Sequence, residues 1–154
     1  MTFNFTNFKF SSDEIEAAAK RIYCEFISTE EFRSSYDCIY ISGPVTGVKD
    51  YKDRFNEIYN YMKDNYSDLG YYFIKPMDYI NKMPKKATYI DKVLLTNMIL
   101  ARCVFIILDD RDDKWMNSTG VLCELNYATG NGDISILSFK QLLEDEEGGI
   151  LKNA

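Results

Sequence analysis

Apolar and polar positions along this chain switch between two periods, and the switching predicts strands alternating with helices. Cys38–Ser42 and Tyr71–Ile74 are short apolar runs bounded by turn residues, the first running into Gly43-Pro-Val-Thr-Gly47 and the second stopped by Pro76. Val104–Leu108 is apolar at every position, as expected of a central strand covered on both faces. Ile134–Ser138 predicts a fourth strand. Helical spacing over 51–66 turns Tyr51, Phe55, Ile58, Met62 and Tyr66 inward, and over 88–101 it turns in Ile90, Val93, Leu94, Met98 and Ala101. A further helix is predicted from a Ser118 N-cap to a stop at Gly130. The stretch from Met77 to Lys86 reads as a loop, and the acidic tail from Gln141 as a short helix with frayed residues after it. Such a succession folds as a parallel, doubly wound sheet.

The α/β pattern begins at Asp37, so residues 1–36 are expected to be an extension and 37–154 the domain proper. Phe3, Phe5, Phe8 and Phe10 nearly alternate, which predicts a strand or extended arm over residues 2–10. Ser11-Ser-Asp-Glu14 has the form of a capping box opening a helix from about Ser12 to Ser28. No chemical signature marks this piece, and the expectation is a structural or dimer-forming element.

Composition narrows the function. A chain of 154 residues, 46% hydrophobic, suffices for one compact domain with a full core. The net charge of −6, with basic clustering only at Lys82-Met-Pro-Lys85-Lys86, argues against nucleic-acid polymers and anionic membranes as partners. No apolar run reaches the roughly 20 residues of a membrane span, and the alternating N-terminus does not resemble a signal peptide. Cys24, Cys38, Cys103 and Cys123 have apolar neighbours and no close C-x-x-C pairing, which predicts buried free thiols and a cytoplasmic setting. The absence of histidine removes Ser-His-Asp and Cys-His catalysis and every His-ligated metal site. Carboxylates, tyrosine or lysine must then do any proton or nucleophile work, and no metal or cofactor is expected.

The candidate site is the segment Trp115-Met-Asn-Ser118-Thr-Gly120-Val-Leu-Cys-Glu124-Leu-Asn-Tyr-Ala128. Gly120, Glu124 and Ala128 recur every fourth residue and share one helix stripe, so Glu124 sits between small residues on a face that also carries Val121 and Leu125. A carboxylate half shielded in this way can act as a general acid or base, or as a nucleophile at an electron-poor sugar carbon. Tyr40, in the first strand, either fills core or hydrogen-bonds that carboxylate and fixes its rotamer. The loop Gly43, Pro44, Val45, Thr46, Gly47 is either a plain turn or a close backbone approach to a ribose or phosphate; it matches neither a Walker A loop nor G-x-G-x-x-G. Trp115 is open to two readings, a packed lid or a stacking partner for a nucleobase. In Asp109-Asp-Arg-Asp-Asp113 a solvated, internally compensated loop is favoured over a Mg²⁺ site, with Asp109 or Asp113 able to bind a sugar hydroxyl or base edge.

Together, Ile39-Tyr-Ile-Ser-Gly-Pro-Val-Thr-Gly47, the turn at Gly70, the strand ending at Pro76 and Trp115-x-x-Ser118-x-Gly120-x-x-x-Glu124-x-x-x-Ala128 resemble the nucleoside 2-deoxyribosyltransferase-like superfamily. The likeness spans Asp37 to Ser138 and is strongest to its small members common in phages and bacteria. It implies a flavodoxin-like Rossmannoid three-layer sandwich, a parallel sheet of about four to five strands and a homodimer or higher oligomer. It also implies a nucleoside or nucleotide as the small-molecule partner, with Glu124 as nucleophile at the anomeric carbon and Tyr40 orienting it. Gly43, Pro44, Ser118 and Gly120 match sugar- or phosphate-proximal positions. Where catalytic members carry an aspartate that protonates the base, this chain reads Leu95-Thr96-Asn97-Met98. Thr96 or Asn97 occupies that position, with Asn97 the candidate catalytic residue, and an amide donates no titratable proton. Two functions are therefore expected: an N-glycosidic-bond enzyme, deoxyribosyltransferase or hydrolase, and a catalytically impaired module that sequesters or senses a nucleotide-like ligand, as a phage anti-defence protein would.

Overall fold

The computed structural model describes residues 9–35, 37–131 (only the backbone of Asn131) and 133–153. Four strands, β1 (Asp37–Ser42), β2 (Tyr71–Ile74), β3 (Cys103–Leu108) and β4 (Ser135–Ser138), pair in parallel in the order β2-β1-β3-β4. Alternation along β1 sends Ile39 and Ile41 to one face of the sheet and Cys38 and Tyr40 to the other, and both sets are buried. The chain steps from β1 outward to β2, then returns across β1 to β3. Right-handed crossovers in opposite directions put their helices on opposite faces. Accordingly α3 (Tyr51–Tyr66) covers one face with α7 (Phe139–Glu144) and α8 (Gly149–Lys152). The other face carries α1 (Asp13–Ser28), α4 (Met77–Ile80), α5 (Tyr89–Leu100) and α6 (Thr119–Asn131), with the short α2 (Glu30–Ser34) continuing from α1. This is the flavodoxin-like three-layer sandwich, with its switch point between β1 and β3.

Local chemistry sets the elements. In α3, Phe55, Ile58, Met62 and Tyr66 form the buried stripe that their spacing predicts, while Tyr51 at the start is half-buried. Gly70, at φ +79°, makes the left-handed turn into β2. The N-terminus of α5 is closed by a reciprocal cap: the Thr88 hydroxyl accepts from Asp91 N–H at 3.2 Å, and the Asp91 carboxylate accepts from Thr88 N–H at 2.8 Å. That carboxylate also accepts from the Ser11 amide at 2.8 Å and the Ser11 hydroxyl at 2.6 Å, stapling the start of α1 to the start of α5.

Several expectations are corrected. Ser12, not Ser11, caps α1, its hydroxyl accepting from Ile15 N–H at 3.2 Å, because Ser11 is committed to Asp91. The helix α1, within the stretch expected to be an added structural or dimer-forming element, places Ile15, Ala19, Ile22 and Phe26 in the same core as Tyr40 and Ile106. The predicted arm over residues 2–10 lies outside the described residues apart from Lys9 and Phe10. Residues 77–86 contain the turn of helix α4. In α5, Ile90 and Ala101 face outward while Leu95, Ile99 and Leu100 are buried, since α1 packs on a second side of this helix and widens its buried arc. Gly130 lies inside α6, which runs on to Asn131. Of the thiols, only Cys38 and Cys103 are buried.

Candidate functional site

Beyond the carboxyl ends of β1 and β2 lies a cleft of about 620 Å³, walled by α5 on one side and the start of α6 on the other. The loops leaving β1 and β3 both reach it, the first through Gly43 to Val48 and the second through Lys114 to Gly120. Ser118 starts α6: its hydroxyl accepts from Val121 N–H at 3.3 Å. That leaves the Thr119 and Gly120 N–H groups outside the helical ladder, at the wall of the cleft. One and a half turns on, Glu124 lines the cleft floor beside Tyr40.

Glu124 is the unusual group. The residue is half-buried overall, but its Oε2 is shut away from solvent and has no hydrogen-bond partner among the described residues. Its Oε1 accepts from the Ser42 hydroxyl at a long 3.5 Å. Desolvation pushes the carboxyl pKa up to about 8, and the neighbouring Tyr40 and Ser42 hydroxyls pull against that rise. The same contact acts in reverse on Tyr40: burial first, then the Glu124 charge, hold its phenol well above its ordinary range. Tyr40 therefore stays a neutral phenol facing an acid, with Thr96 nearby from α5 also acting on its hydroxyl. Glu124 lines the cleft, but its unpaired oxygen lies sealed beneath that surface, so a small turn of the carboxyl is needed before a ligand can reach it.

The acidic loop after β3 has a different task. Asp109, 1% exposed, accepts from Arg54 Nε at 2.9 Å and from Arg111 Nε at 2.8 Å. Arg54 reaches on to Asp112 at 2.8 Å, and Arg111 reaches Glu57 at 2.6 Å. Burial would raise the Asp109 pKa, but the two guanidinium groups outweigh it and hold the carboxyl below its usual range. This network clamps the loop to α3 and so fixes where α6 begins. Asp109 is thereby corrected from ligand contact to structural anchor, since its oxygens are taken by arginines.

Of the residues singled out in the sequence, Tyr40, Gly43, Thr46, Gly47, Asn97, Ser118, Gly120 and Glu124 line the cleft. Pro44, Asp113 and Trp115 do not; Pro44 is buried behind the loop, and Asp113 and Trp115 lie on the 3₁₀ turn Asp113–Asn117. Residues not foreseen there include Ser42 beneath Glu124, and Tyr89 and Lys92 on α5; Thr96, the alternative to Asn97, lines it as well. Their signal was available: Tyr89, Lys92 and Thr96, three and four residues apart, share one face of α5 as a polar stripe. Cys123, expected to be buried, is half-exposed at the cleft, where its sulfur accepts from the Tyr89 hydroxyl at 3.8 Å.

No helix among the described residues is long and apolar enough to cross a membrane. No curated protein and no solved structure matches the chain. A family described as "Domain of unknown function (DUF4406)" matches residues 37–136, the stretch that holds the whole sheet to the middle of β4, both loops and Glu124. With the greater part of its length matched, from the first strand to the last, the chain belongs to the DUF4406 family.

Proposed function

We propose that the cleft is the active site of an enzyme that breaks the N-glycosidic bond of a nucleoside or nucleotide, with Glu124 as the nucleophile. The observation that carries the reading is the Glu124 carboxyl, a side chain that lines a cleft large enough for a small ligand and keeps one oxygen buried and unpartnered. The motif resemblance to the nucleoside 2-deoxyribosyltransferase-like superfamily supports it. In the proposed reaction the ionised carboxylate adds to the anomeric carbon as the bond to the base breaks, and the electron pair leaves with the base. Water, or a second base, then displaces the carboxylate and restores Glu124. Tyr40 holds the carboxyl rotamer and, as a hydrogen-bond donor, favours its charged form. Asn97 can hydrogen-bond the base but not protonate it, so the departing base takes its proton from water in the open cleft. Hydrolysis or slow exchange is then expected instead of fast transfer. Incubation with a panel of 2′-deoxynucleosides and their nucleotides should release free base, measured by chromatography. Glu124→Gln should abolish the release, and an undiminished rate in that variant removes the proposal.

A second reading is a binding module that holds a nucleotide-like ligand intact. Two observations favour it: Asn97 lines the cleft where an acid would be needed, and a carboxyl with a pKa of about 8 is mostly protonated at neutral pH. A neutral carboxyl both donates and accepts hydrogen bonds but is a poor nucleophile. Recovery of a bound ligand chemically unchanged after long incubation decides for this reading.

A further inference from the structure

The α5 wall of the cleft is braced by a part of the chain outside the stretch that matches the family. That stretch is residues 37–136, whereas α1 precedes it and packs along α5. The two helices run parallel: Ser11 meets Asp91 at one end, and the Tyr23 hydroxyl accepts from Arg102 Nε just past the other. Parallel helices bring their positive ends together, and the buried Asp91 carboxylate lies between them. Its Oδ1 accepts from the Ser11 amide at 2.8 Å. Its Oδ2 accepts from the Ser11 hydroxyl at 2.6 Å and from the Thr88 amide at 2.8 Å. Glu14 of α1 also pairs with Lys86, just ahead of α5. From Thr88 to Lys92, Asp91 alone is buried. Its neighbours Tyr89 and Lys92 are exposed and line the cleft. Tyr89 ties α5 to α6 through its hydroxyl, but the acceptor, Cys123 Sγ at 3.8 Å, is a weak one. The firm hold on the first turn of α5 is therefore the Asp91 carboxylate, and Ser11 supplies two of its donors.

We propose that Ser11 is a positioning residue for the cleft: through Asp91 it sets where the first turn of α5, and with it Tyr89 and Lys92, stands against α6. The segment ahead of the family-matched domain then helps to shape the ligand site. Placement of the turn needs no assumption about the ligand, while its consequence for turnover rests on the enzyme reading given above. Glu124 stands on α6, outside this linkage, so loss of the anchor loosens the seating of substrate and spares the bond-breaking group.

The test uses the chain's own thiols. The full chain, Ser11→Ala, Ser11→Thr and Ile22→Val are treated with iodoacetamide, and each cysteine is followed by peptide mass spectrometry. Ile22→Val is the control, because it takes a methylene from the α1 core without touching Asp91. Cys123 reports on Tyr89, and the buried Cys38 and Cys103 report on opening of the whole core. Ser11→Ala should label Cys123 severalfold faster with Cys38 and Cys103 unchanged, and Ser11→Thr, which keeps the hydroxyl, should label at the parent rate. In Ile22→Val, Cys123 should speed up no more than the two buried thiols do. An unchanged Cys123 rate in Ser11→Ala overturns the proposal, as does a rise shared by all three thiols. With a 2′-deoxynucleoside or nucleotide that the protein cleaves, Ser11→Ala should raise KM severalfold at the parent kcat, and Ser11→Thr should restore it. A lower kcat with KM unmoved, or a KM raised as much by Ile22→Val, also overturns it. A parent protein that cleaves none of these compounds removes the enzyme reading and leaves thiol labelling to decide the positioning role.

Discussion

Replacing Glu124 with glutamine isolates the burial of its carboxyl from any question of substrate. An unfolded chain ionises this side chain near 4.5, whereas in the native protein ionisation waits until about pH 8. Between those values the native state keeps a proton that the unfolded chain has released, so stability falls as pH rises and levels off above pH 8. Each pH unit in the interval is worth about 1.4 kcal/mol, which sets an upper bound of about 5 kcal/mol. Water entering the cleft offsets part of this, leaving an expected loss of about 2–4 kcal/mol between pH 5 and pH 8.5. Glutamine has the same shape and no charge to desolvate, so Glu124→Gln should equal the parent at pH 5 and exceed it by that amount at pH 8.5. Urea denaturation of both proteins at the two pH values measures the difference, and groups common to both cancel. Curves that stay parallel from pH 5 to pH 8.5 would mean that the carboxyl ionises as it does in water, and the shielded-acid argument would fail.

Three further outcomes follow from the geometry. Tyr40→Phe keeps the buried ring but removes a hydroxyl that lowers the Glu124 pKa, so the rise of kcat/KM with pH should move to still higher pH while the fold stays intact. An unmoved profile would deny Tyr40 its positioning role. Arg54→Met leaves Asp109 with Arg111 alone and should cost about 3 kcal/mol, by denaturant titration, at neutral pH. Because Asp109 is held below the usual carboxylate range, that cost should shrink as the pH is lowered through its native pKa; a cost unchanged in acid would contradict the ion-pair account. Phe26→Ala removes a fully buried ring in contact with Phe32, Tyr72 and Tyr79 and should destabilise by about 3–5 kcal/mol. A loss below about 1 kcal/mol would mean that α1 is an appendage after all.

Much of the architecture was legible because the two central strands, β1 and β3, are largely buried on both faces. Val104–Leu108 has no polar position to disguise it, and the period-2 and period-3.6 runs on either side are short and sharply bounded by Gly70 and Pro76. The candidate site was legible where one residue type is out of place in its stripe, as Glu124 is between Gly120 and Ala128. Its supporting contacts were not. Asp91 reads as an ordinary first-turn carboxylate until Ser11, eighty positions earlier, is seen to donate to it. Asp109 looks like one member of an acidic run, and only the crossing of α3 over the end of β3 brings Arg54 to it. Ile90 follows the helical stripe but faces outward, because local spacing cannot tell that α5 is packed on two sides. In each case the missing information is a pairing between distant segments.

The claim that matters most is that Glu124 bonds covalently to a sugar carbon. Intact-protein mass spectrometry after incubation with a 2′-fluoro-arabinosyl nucleoside and its 5′-monophosphate tests it directly, because fluorine beside the anomeric carbon destabilises the oxocarbenium-like state and slows release of the adduct. The account predicts one added fluoropentosyl group per chain, carrying the phosphate when the monophosphate is used. It should map to the tryptic peptide 115–140 and be absent from Glu124→Gln. Free base accumulating with no adduct, an adduct at another residue, or neither product would contradict it.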